Sequence, residues 1–245
     1  MRKKYEILKL EKEDLVFSFD SAKRLFSLGI PMGLQFSIIA IGGIIVQVAL
    51  NKLGANAVAA FSASSKVHGF ITQMFPAIGV AIATFVGQNI GAGDYKRVKS
   101  GVISGIKLAL ICSVLAFAIV RIFGESLSAS FISDPPKEVL QLNHIYFAIN
   151  SWFYPFLCLI FVFRNAIQGM GDGVVPMISG TLELVARAAI IFLLSAPYGF
   201  TGICFADPLA WIFALIPLVP VFMIRMRKML KRQKERELQV SQETP

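Results

Sequence analysis

Residues 88–99 of this chain read QNIGAGDYKRVK and form a short polar stretch between two long apolar segments. The segment that leads into it, 67–90, contains no Asp, Glu, Lys or Arg, and the segment that follows, 100–120, contains only Lys107. A polar stretch in this setting is typical of a turn at a membrane surface. Its cations favour the cytoplasmic surface, because basic loops resist translocation across the bilayer. The orientation of every other segment follows from this turn.

The composition is typical of an integral membrane protein. Hydrophobic residues make up 56% of the 245 residues, charged residues only 16%, and the mean hydropathy is +0.67. A soluble domain would need a more charged surface. A membrane β-barrel would alternate apolar and polar residues along strands of about ten residues. The apolar runs here are continuous and about twice that length, which predicts an all-α integral membrane protein.

Six apolar segments are long enough to cross a bilayer, which takes about 20 helical residues. The sequence therefore predicts a six-transmembrane-helix bundle over 25–226, with a cytoplasmic linker or amphipathic segment at 1–24 and a basic cytoplasmic tail at 227–245. Prolines at 76, 155 and 208 predict interrupted helices. The expected helices lie at about 28–50, 67–90, 100–123, 139–163, 174–194 and 201–224.

The distribution of Lys and Arg predicts the topology. Seven cations lie within residues 1–24 and seven between Arg225 and Arg236. Six spans place both termini on one side, and the excess of cations there identifies that side as the cytoplasm. We therefore expect a multi-pass protein of the cell (plasma) membrane with both termini cytoplasmic. The segment 51–66 then reads as an outer loop, and the outer cations are Lys52, Lys66, Arg121 and Lys137.

Catalytic and metal-binding patterns are missing from the sequence. It contains no GxSxG, HExxH or P-loop, so we expect neither an enzyme nor a cofactor. His68 and His144 fall near predicted outer helix ends and could meet at a metal, but the usual third and fourth ligands are lacking. The net charge of +9 is explained by topology and anionic lipid, not by nucleic acid. The three cysteines lie in apolar segments without a CxxC pattern, which indicates packing residues.

Glu183, Arg187 and Asp207 lie within the fifth and sixth predicted membrane helices, where a charge is costly and usually functional. Glu183 and Arg187 are four residues apart, so they share a helix face and can form an ion pair. That pair could be structural, or Glu183 could take part in transport. Asp207 precedes Pro208, and its carboxylate could bind freed backbone groups, titrate with protons or make a polar packing contact.

Two glycine-rich turns lie on the predicted inner side: VGQNIGAGD at 86–94, the first glycine turn, and RNAIQGMGD at 164–172, the second glycine turn. With LGIPM at 28–32, ELVAR at 183–187 and DPLAW at 207–211, they make the chain resemble the multidrug and toxic compound extrusion (MATE) family over about 22–227. The residues that carry the turn motif are Gly87, Gln88, Asn89, Gly91, Gly93, Asp94, Gln168, Gly169, Gly171 and Asp172.

The resemblance implies a fold of twelve helices in two six-helix lobes that face a central cavity. It further implies export of amphipathic or cationic compounds by Na⁺ or H⁺ antiport. Only the carboxy-terminal half of the family is matched, so we expect this chain to be one lobe. Its partners would then be the lipid bilayer, its substrates, and an amino-terminal six-helix lobe or a second copy. Residues 1–24 resemble the linker between lobes.

Some branches of the family bind the coupling cation in this lobe, through carboxylates in its first and fourth helices. The corresponding stretches here read QFSII at 35–39 and FLC at 156–158, without an acid. The coupling-ion site is therefore expected in the amino-terminal lobe, which this chain lacks.

In the family, the first, second and fourth helices of this lobe line the cavity. The resemblance thus nominates cavity residues, each of which could instead serve helix packing. The candidates are Gln35, Ser37, Phe70, Gln73, Met74, Tyr146 and Asn150.

Two other functions stay open at this point. A lipid-linked oligosaccharide flippase of the same superfamily would need a large cationic cavity for a pyrophosphate, and the intramembrane cations are few. A non-transporting membrane interaction module would have no solvated cavity and no dependence on ions.

Overall fold

The computed structural model of the protein describes residues 17–132 and 134–243, and these form eight α-helices and one 3-10 turn, without a strand. The 3-10 turn, Ser151–Phe153, joins the fifth helix to the sixth. The helices are α1 (Phe19–Asn51), α2 (Ala55–Thr72), α3 (Met74–Gly91), α4 (Tyr95–Ala129), α5 (Lys137–Asn150), α6 (Tyr154–Gly169), α7 (Val174–Cys204) and α8 (Ala206–Glu243).

These helices make six spans that are long and apolar enough to cross a membrane. Four spans are single helices, α1, α4, α7 and α8, whereas α2 with α3 and α5 with α6 each form one broken span. The predicted all-α, six-span architecture is confirmed. The helix α6 lies at its centre and packs against α3, α4, α7 and α8, while α1 packs mainly along α7.

The interrupted helices have a common cause in proline. The chain leaves α2 at Gln73, three residues before Pro76, and leaves α7 at Phe205, three residues before Pro208. Proline lacks the N–H that would bond to the carbonyl four residues earlier, so the helix loses a hydrogen bond at that point. Pro155 has the same effect, and the 3-10 turn takes up the break one turn before it. The three predicted interruptions are present.

The two glycine turns end their helices in the same way. Gly93 and Gly171 adopt positive φ angles of 74° and 82°. The N–H of the following aspartate, Asp94 or Asp172, donates to the carbonyl five residues earlier, at 3.0 and 3.2 Å. This is the Schellman arrangement, which satisfies carbonyls at a helix end and favours glycine at the left-handed position. Gly91 does not adopt a positive φ.

The same aspartates begin the next helices. One carboxylate oxygen of Asp94 accepts the N–H of Arg97 at 2.9 Å, and one of Asp172 accepts the N–H of Val174 at 2.6 Å. A short carboxylate side chain at this position satisfies N–H groups that have no partner within the helix. Each glycine turn therefore closes one span and starts another within a few residues.

The connection between α1 and α2 is shorter than the sequence predicts. The expected outer loop at 51–66 is reduced to Lys52–Gly54, because α2 already begins at Ala55. The small side chains in this stretch allow close helix packing: Ala57, Ala60 and Ser64 are buried, and Ser64 donates to Asn143 of α5 at 3.0 Å. Small residues at a membrane helix interface act in this way, so the stretch is part of the span.

The α7–α8 region also differs from the predicted boundaries. The chain reverses at Gly199, whose φ of 53° interrupts the helical course of α7, while the rest of the predicted 195–200 loop is helical. Gly202 packs directly against the carbonyl of Leu194, where a Cβ would overlap. Asp207 and Pro208 consequently lie in the first turn of α8.

Both end segments continue the membrane helices. The helix α1 begins at Phe19, so part of the predicted 1–24 linker is helical, and residues 1–16 lie outside the described residues. The helix α8 runs through the predicted 227–245 tail to Glu243, and residues 244–245 are likewise outside the description.

The end of α8 is anchored to the start of α4. The side-chain oxygen of Gln233 accepts the N–H groups of Tyr95 and Lys96 at 2.9 and 3.0 Å. The amine of Lys96 also forms an ion pair with Glu237 at 2.9 Å. Earlier in α8, Arg225 forms an ion pair with Asp172. Both glycine turns and the α8 extension therefore lie at one end of the bundle.

Candidate functional site

A chain of four charged side chains crosses the interior of the bundle. Arg164 of α6 donates to Glu183 of α7 at 3.0 Å, and the other oxygen of Glu183 accepts from Arg187 at 2.9 Å. Arg187 reaches on to Asp207 of α8 at 2.6 Å. We call Arg164, Glu183, Arg187 and Asp207 the charge chain. It links three helices by charge-assisted hydrogen bonds, which are the stronger kind.

Burial and charge balance explain how the charge chain is tolerated. The side chains of Arg164, Glu183 and Arg187 are 7–8% exposed, whereas that of Asp207 is 30% exposed. Two arginines and two carboxylates alternate, so the formal charge of the group is zero. An isolated charge at this depth would be costly, and pairing is how such groups are accommodated. Asp207 forms the open end of the chain.

The sequence predicts the Glu183–Arg187 pair but misses its extension. Arg164 reads as a cation of the inner turn, yet α6 continues to Gly169 and buries it. The spacing of the sequence indicates that Arg164 is buried. Ile160 lies four residues before it and Ile167 three residues after it, so all three share one helix face, and both isoleucines are buried. Asp207 is held by Arg187, so its carboxylate has a side-chain partner and not only backbone groups.

A cavity of about 290 Å³ borders the charge chain. All four charged residues line it, together with Gln73 at the break between α2 and α3. Its other polar or aromatic walls come from His68, Thr72, Phe161 and Trp211. The Nε atom of Arg164 has no hydrogen-bond partner among the described residues. The cavity therefore brings a broken helix and a set of buried charges together.

His68 belongs to an aromatic cluster beside this cavity. Its Nδ1 lies 3.2 Å from the hydroxyl of Tyr154, and its ring stacks on Trp211 with centroids 5.9 Å apart. Tyr146 meets the same ring edge-on at 6.2 Å. The predicted position near an outer helix end is wrong, because α2 starts at Ala55 and carries His68 well into the span.

His144 has a different environment from His68. It is exposed, and its Nδ1 lies 2.5 Å from a carboxylate oxygen of Glu125. The structure therefore gives the two histidines separate partners. No group of three or more His, Cys, Asp or Glu residues arranged for a metal occurs in the described part of the chain.

The seven nominated cavity residues do not form one cluster. Gln73 lines the cavity at the charge chain. Gln35 is buried and accepts a hydrogen bond from Gln168 at 3.4 Å, which ties α1 to the second glycine turn. Tyr146 and Asn150 are buried in α5, where the Asn150 amide donates to the Tyr146 carbonyl at 3.0 Å.

The remaining three nominated residues are less enclosed. Phe70 is 85% exposed, close to the break at Gln73. Ser37 is exposed, and its hydroxyl donates to the Gly33 carbonyl one turn earlier. Met74 is half-buried against the core. They occupy the surface of α1 and of the second span, not the interior.

The glycine turns contribute close helix contact as well as their backbone shape. A Cβ on Gly169 would lie 2.6 Å from the carbonyl oxygen of Ala83 and 3.0 Å from the Cβ of Val86, so α3 and α6 touch there. Gly87 faces the carbonyl of Gly169 from the other side of this contact. Asn89 donates to the Phe85 carbonyl within α3 at 2.7 Å.

Comparison with known proteins gives consistent matches to one family. The family model described as MatE matches residues 31–190. The probable multidrug resistance protein YpnP of Bacillus subtilis is 27% identical over 197 residues, which cover 80% of this chain and 44% of that protein. The FAD transporter of Shewanella oneidensis is 24% identical over 193 residues, or 79% of this chain and 40% of that protein.

The fold is also that of solved structures. A crystal structure of MATE in complex with MaL6 superposes with a TM-score of 0.84 at 16% identity, covering 91% of this chain and 51% of that one. At this identity the likeness concerns the fold. The chain spans about half the length of the curated relatives that it matches.

Proposed function

Because this chain belongs to the MatE family, we propose that it forms one six-span lobe of a secondary active exporter of amphipathic or cationic compounds. Relatives over 80% and 60% of the chain are named probable multidrug resistance proteins. The chain equals about half of such a protein, and half of a solved MATE chain superposes on it. The second half would be an amino-terminal six-helix lobe or a second copy of this chain.

The cavity beside the charge chain is the observation that supports this proposal most directly. Transporters place their sites at interrupted helices near the middle of the membrane, where irregular backbone borders a cavity. Here the break at Gln73, the spare Arg164 donor and the half-open Asp207 carboxylate meet at one cavity. Trp211 adds an aromatic wall that suits an amphipathic cation.

Transport would proceed by alternating access, in which one lobe rocks against the other. We place the coupling site for Na⁺ or H⁺ in the partner lobe. The two acids of the charge chain, Glu183 and Asp207, are both paired with arginine and do not offer a free carboxylate. The predicted cation positions in this lobe are occupied by residues such as Gln35 and Cys158, which have no carboxylate.

The same charge balance argues against a lipid-linked oligosaccharide flippase. A pyrophosphate needs a cavity with an excess of positive charge, whereas the charge chain sums to zero. A non-transporting membrane module is the remaining alternative, and it predicts that cavity substitutions have no effect on efflux.

The location that we propose is the plasma membrane, with the termini and both glycine turns in the cytoplasm. Lys96, Lys99 and the cations of the α8 extension gather at the end of the bundle that carries the glycine turns. Such an excess of cations is retained on the cytoplasmic side.

The proposal is tested by expressing residues 1–245 in a drug-sensitive host, alone and joined to an amino-terminal lobe from a relative. We expect efflux of ethidium only from the joined protein, because a lone lobe would present its cavity wall to lipid. In the joined protein, Gln73→Ala should weaken efflux. The matched control, Gln47→Ala, removes an exposed glutamine that does not line this cavity and donates a hydrogen bond to Asn51.

Of three possible results, two would count against the proposal, and efflux by a dimer would choose between its two kinds of second half. Efflux by a monomer of the chain alone would show that no partner lobe is needed. Efflux by the chain alone as a dimer would replace the amino-terminal lobe with a second copy. Equal efflux from Gln73→Ala and Gln47→Ala would show that the cavity is not part of the transport path.

A further inference from the structure

A second cavity lies between α4 and α8 and opens at the surface of the lobe. It measures about 290 Å³, and its walls are apolar along most of its length. Val102 and Ile106 line it from α4, and Phe222 and Met226 from α8. At the end nearest the glycine turns the lining changes to Lys99 and Arg227. We call this cavity the α4–α8 groove.

The two cations at the groove have no acidic partner. Among residues 17–132 and 134–243, neither Lys99 nor Arg227 has a carboxylate oxygen within 4.0 Å. Two acids of this region are paired with other cations: Glu237 with Lys96, and Asp172 with Arg225. Lys99 and Arg227 therefore bring two positive charges to the groove without an ion-pair partner among the described residues.

The cationic end of the groove is held in place by the fold. Gln233 bonds the first two N–H groups of α4, so α8 and α4 are fixed to each other just beyond the groove. Lys99 lies four residues into α4, or about 6 Å along the axis, and Arg227 lies six residues before Gln233, or about 9 Å. Both cations are therefore within two helical turns of the membrane-surface end of their spans.

We propose that the α4–α8 groove binds an anionic phospholipid, with an acyl chain along the apolar walls and the phosphate between Lys99 and Arg227. Basic pockets between membrane helices at the cytoplasmic surface recognise lipid headgroups in this way. A zwitterionic lipid would bring its own cation next to these two side chains, so a headgroup such as phosphatidylglycerol is preferred. The proposal depends on the membrane placement of the six spans and not on transport.

The first test measures lipid binding by the joined two-lobe protein, so that it does not depend on a lone lobe folding. Phosphatidylglycerol and phosphatidylcholine are each titrated into the detergent-purified protein, and thermal stabilisation and bound lipid are followed by unfolding and native mass spectrometry. The wild type should prefer phosphatidylglycerol. Lys99→Gln with Arg227→Gln should raise the half-saturating phosphatidylglycerol concentration about 30-fold, since each cation near the surface contributes about a factor of five.

The matched control is Lys228→Gln with Arg232→Gln, which removes the same charge from exposed positions of α8 outside the groove. It should leave the preference nearly unchanged. If both double variants weaken binding equally, the attraction is a general surface effect and the proposal is wrong. It is also wrong if the groove variant keeps the wild-type preference.

A third variant tests the apolar part of the site without changing charge. Ile103 lines the groove and is 42% exposed, so Ile103→Trp should fill the space while leaving the core intact. We expect the bound lipid to be lost while stability without added lipid stays near that of the wild type. Retention of the lipid by this variant would place the binding elsewhere. Efflux is not a readout here, so a failure of the transport proposal would remain distinguishable.

Discussion

Glu183 accepts hydrogen bonds from two buried arginines, so its neutralisation would leave Arg164 without a counter-charge and Arg187 with Asp207 alone. We expect Glu183→Gln to lower the free energy of unfolding by about 3–5 kcal/mol, the range for one broken partner of a buried pair. Asp207→Asn should lower the free energy of unfolding by only about 1 kcal/mol, because the Asp207 side chain is partly exposed and Arg187 retains its ion pair with Glu183. Unfolding in detergent would measure both, with exposed Glu235→Gln as control.

The double variant Glu183→Gln with Arg187→Gln tests whether these two residues act as an isolated ion pair or as part of the charge chain. For an isolated pair, the double variant would be milder than either single change. In the charge chain it leaves Arg164 and Asp207 unpaired, so we expect it to be no milder than Glu183→Gln alone. Its effect should still be less than the sum of the two single effects, because the residues share one network. A double variant close to wild-type stability would contradict the chain.

Single residues show how far the sequence could be interpreted. The spacing of Glu183 and Arg187 was sufficient to predict their pairing, because four residues make one helical turn. Arg164 and Asp207 lie on other helices, and sequence spacing says nothing about which faces of different helices meet. For the same reason Gln73 could be nominated along with six other residues, but not singled out as a wall of the cavity.

At the scale of elements, the two glycine turns offer a matched comparison. Gly169 touches α3, where an added Cβ would crowd Ala83 and Val86, whereas a Cβ on Gly91 meets nothing within 4 Å. Gly169→Ala should therefore destabilise by about 1–3 kcal/mol, the usual cost of overpacking. Gly91→Ala should be neutral or slightly stabilising, because alanine is the better helix former. Equal melting temperatures for the two variants would contradict this α3–α6 contact.

Helix boundaries were less predictable than helix existence. Apolar length identified all six spans, but the start of α2 at Ala55 could not be found from hydropathy, because its small residues resemble a loop. These residues pack against α4 and α5, which hydropathy does not reveal. The reversal at Gly199 falls within the predicted 195–200 loop, although the residues on both sides of it are helical. The prolines at the interrupted helices and the glycines of the glycine turns predicted helix ends better, since these residues act on the backbone itself.

At the scale of the whole molecule, cysteines at the two ends of α4 can be used to measure the orientation of the protein in the membrane. Its 35 residues extend about 50 Å, enough to place its ends on opposite sides of a bilayer. In a background without Cys112, Cys158 and Cys204, we expect an impermeant maleimide to label Ser130→Cys in intact cells but not Lys96→Cys. Lys96→Cys should react once the cells are opened. The reverse labelling pattern would show that the orientation is opposite to the one proposed.

The balance of the charge chain has an electrical consequence. Moving one elementary charge through a membrane potential of 100 mV changes the energy by about 2.3 kcal/mol. Two arginines and two carboxylates that move together as a neutral unit contribute almost nothing of this kind. If this lobe moves during export as we propose, the charge chain should therefore add almost no voltage dependence to that motion, and a current measured during export should be carried by other charges, such as the cargo or the coupling ion.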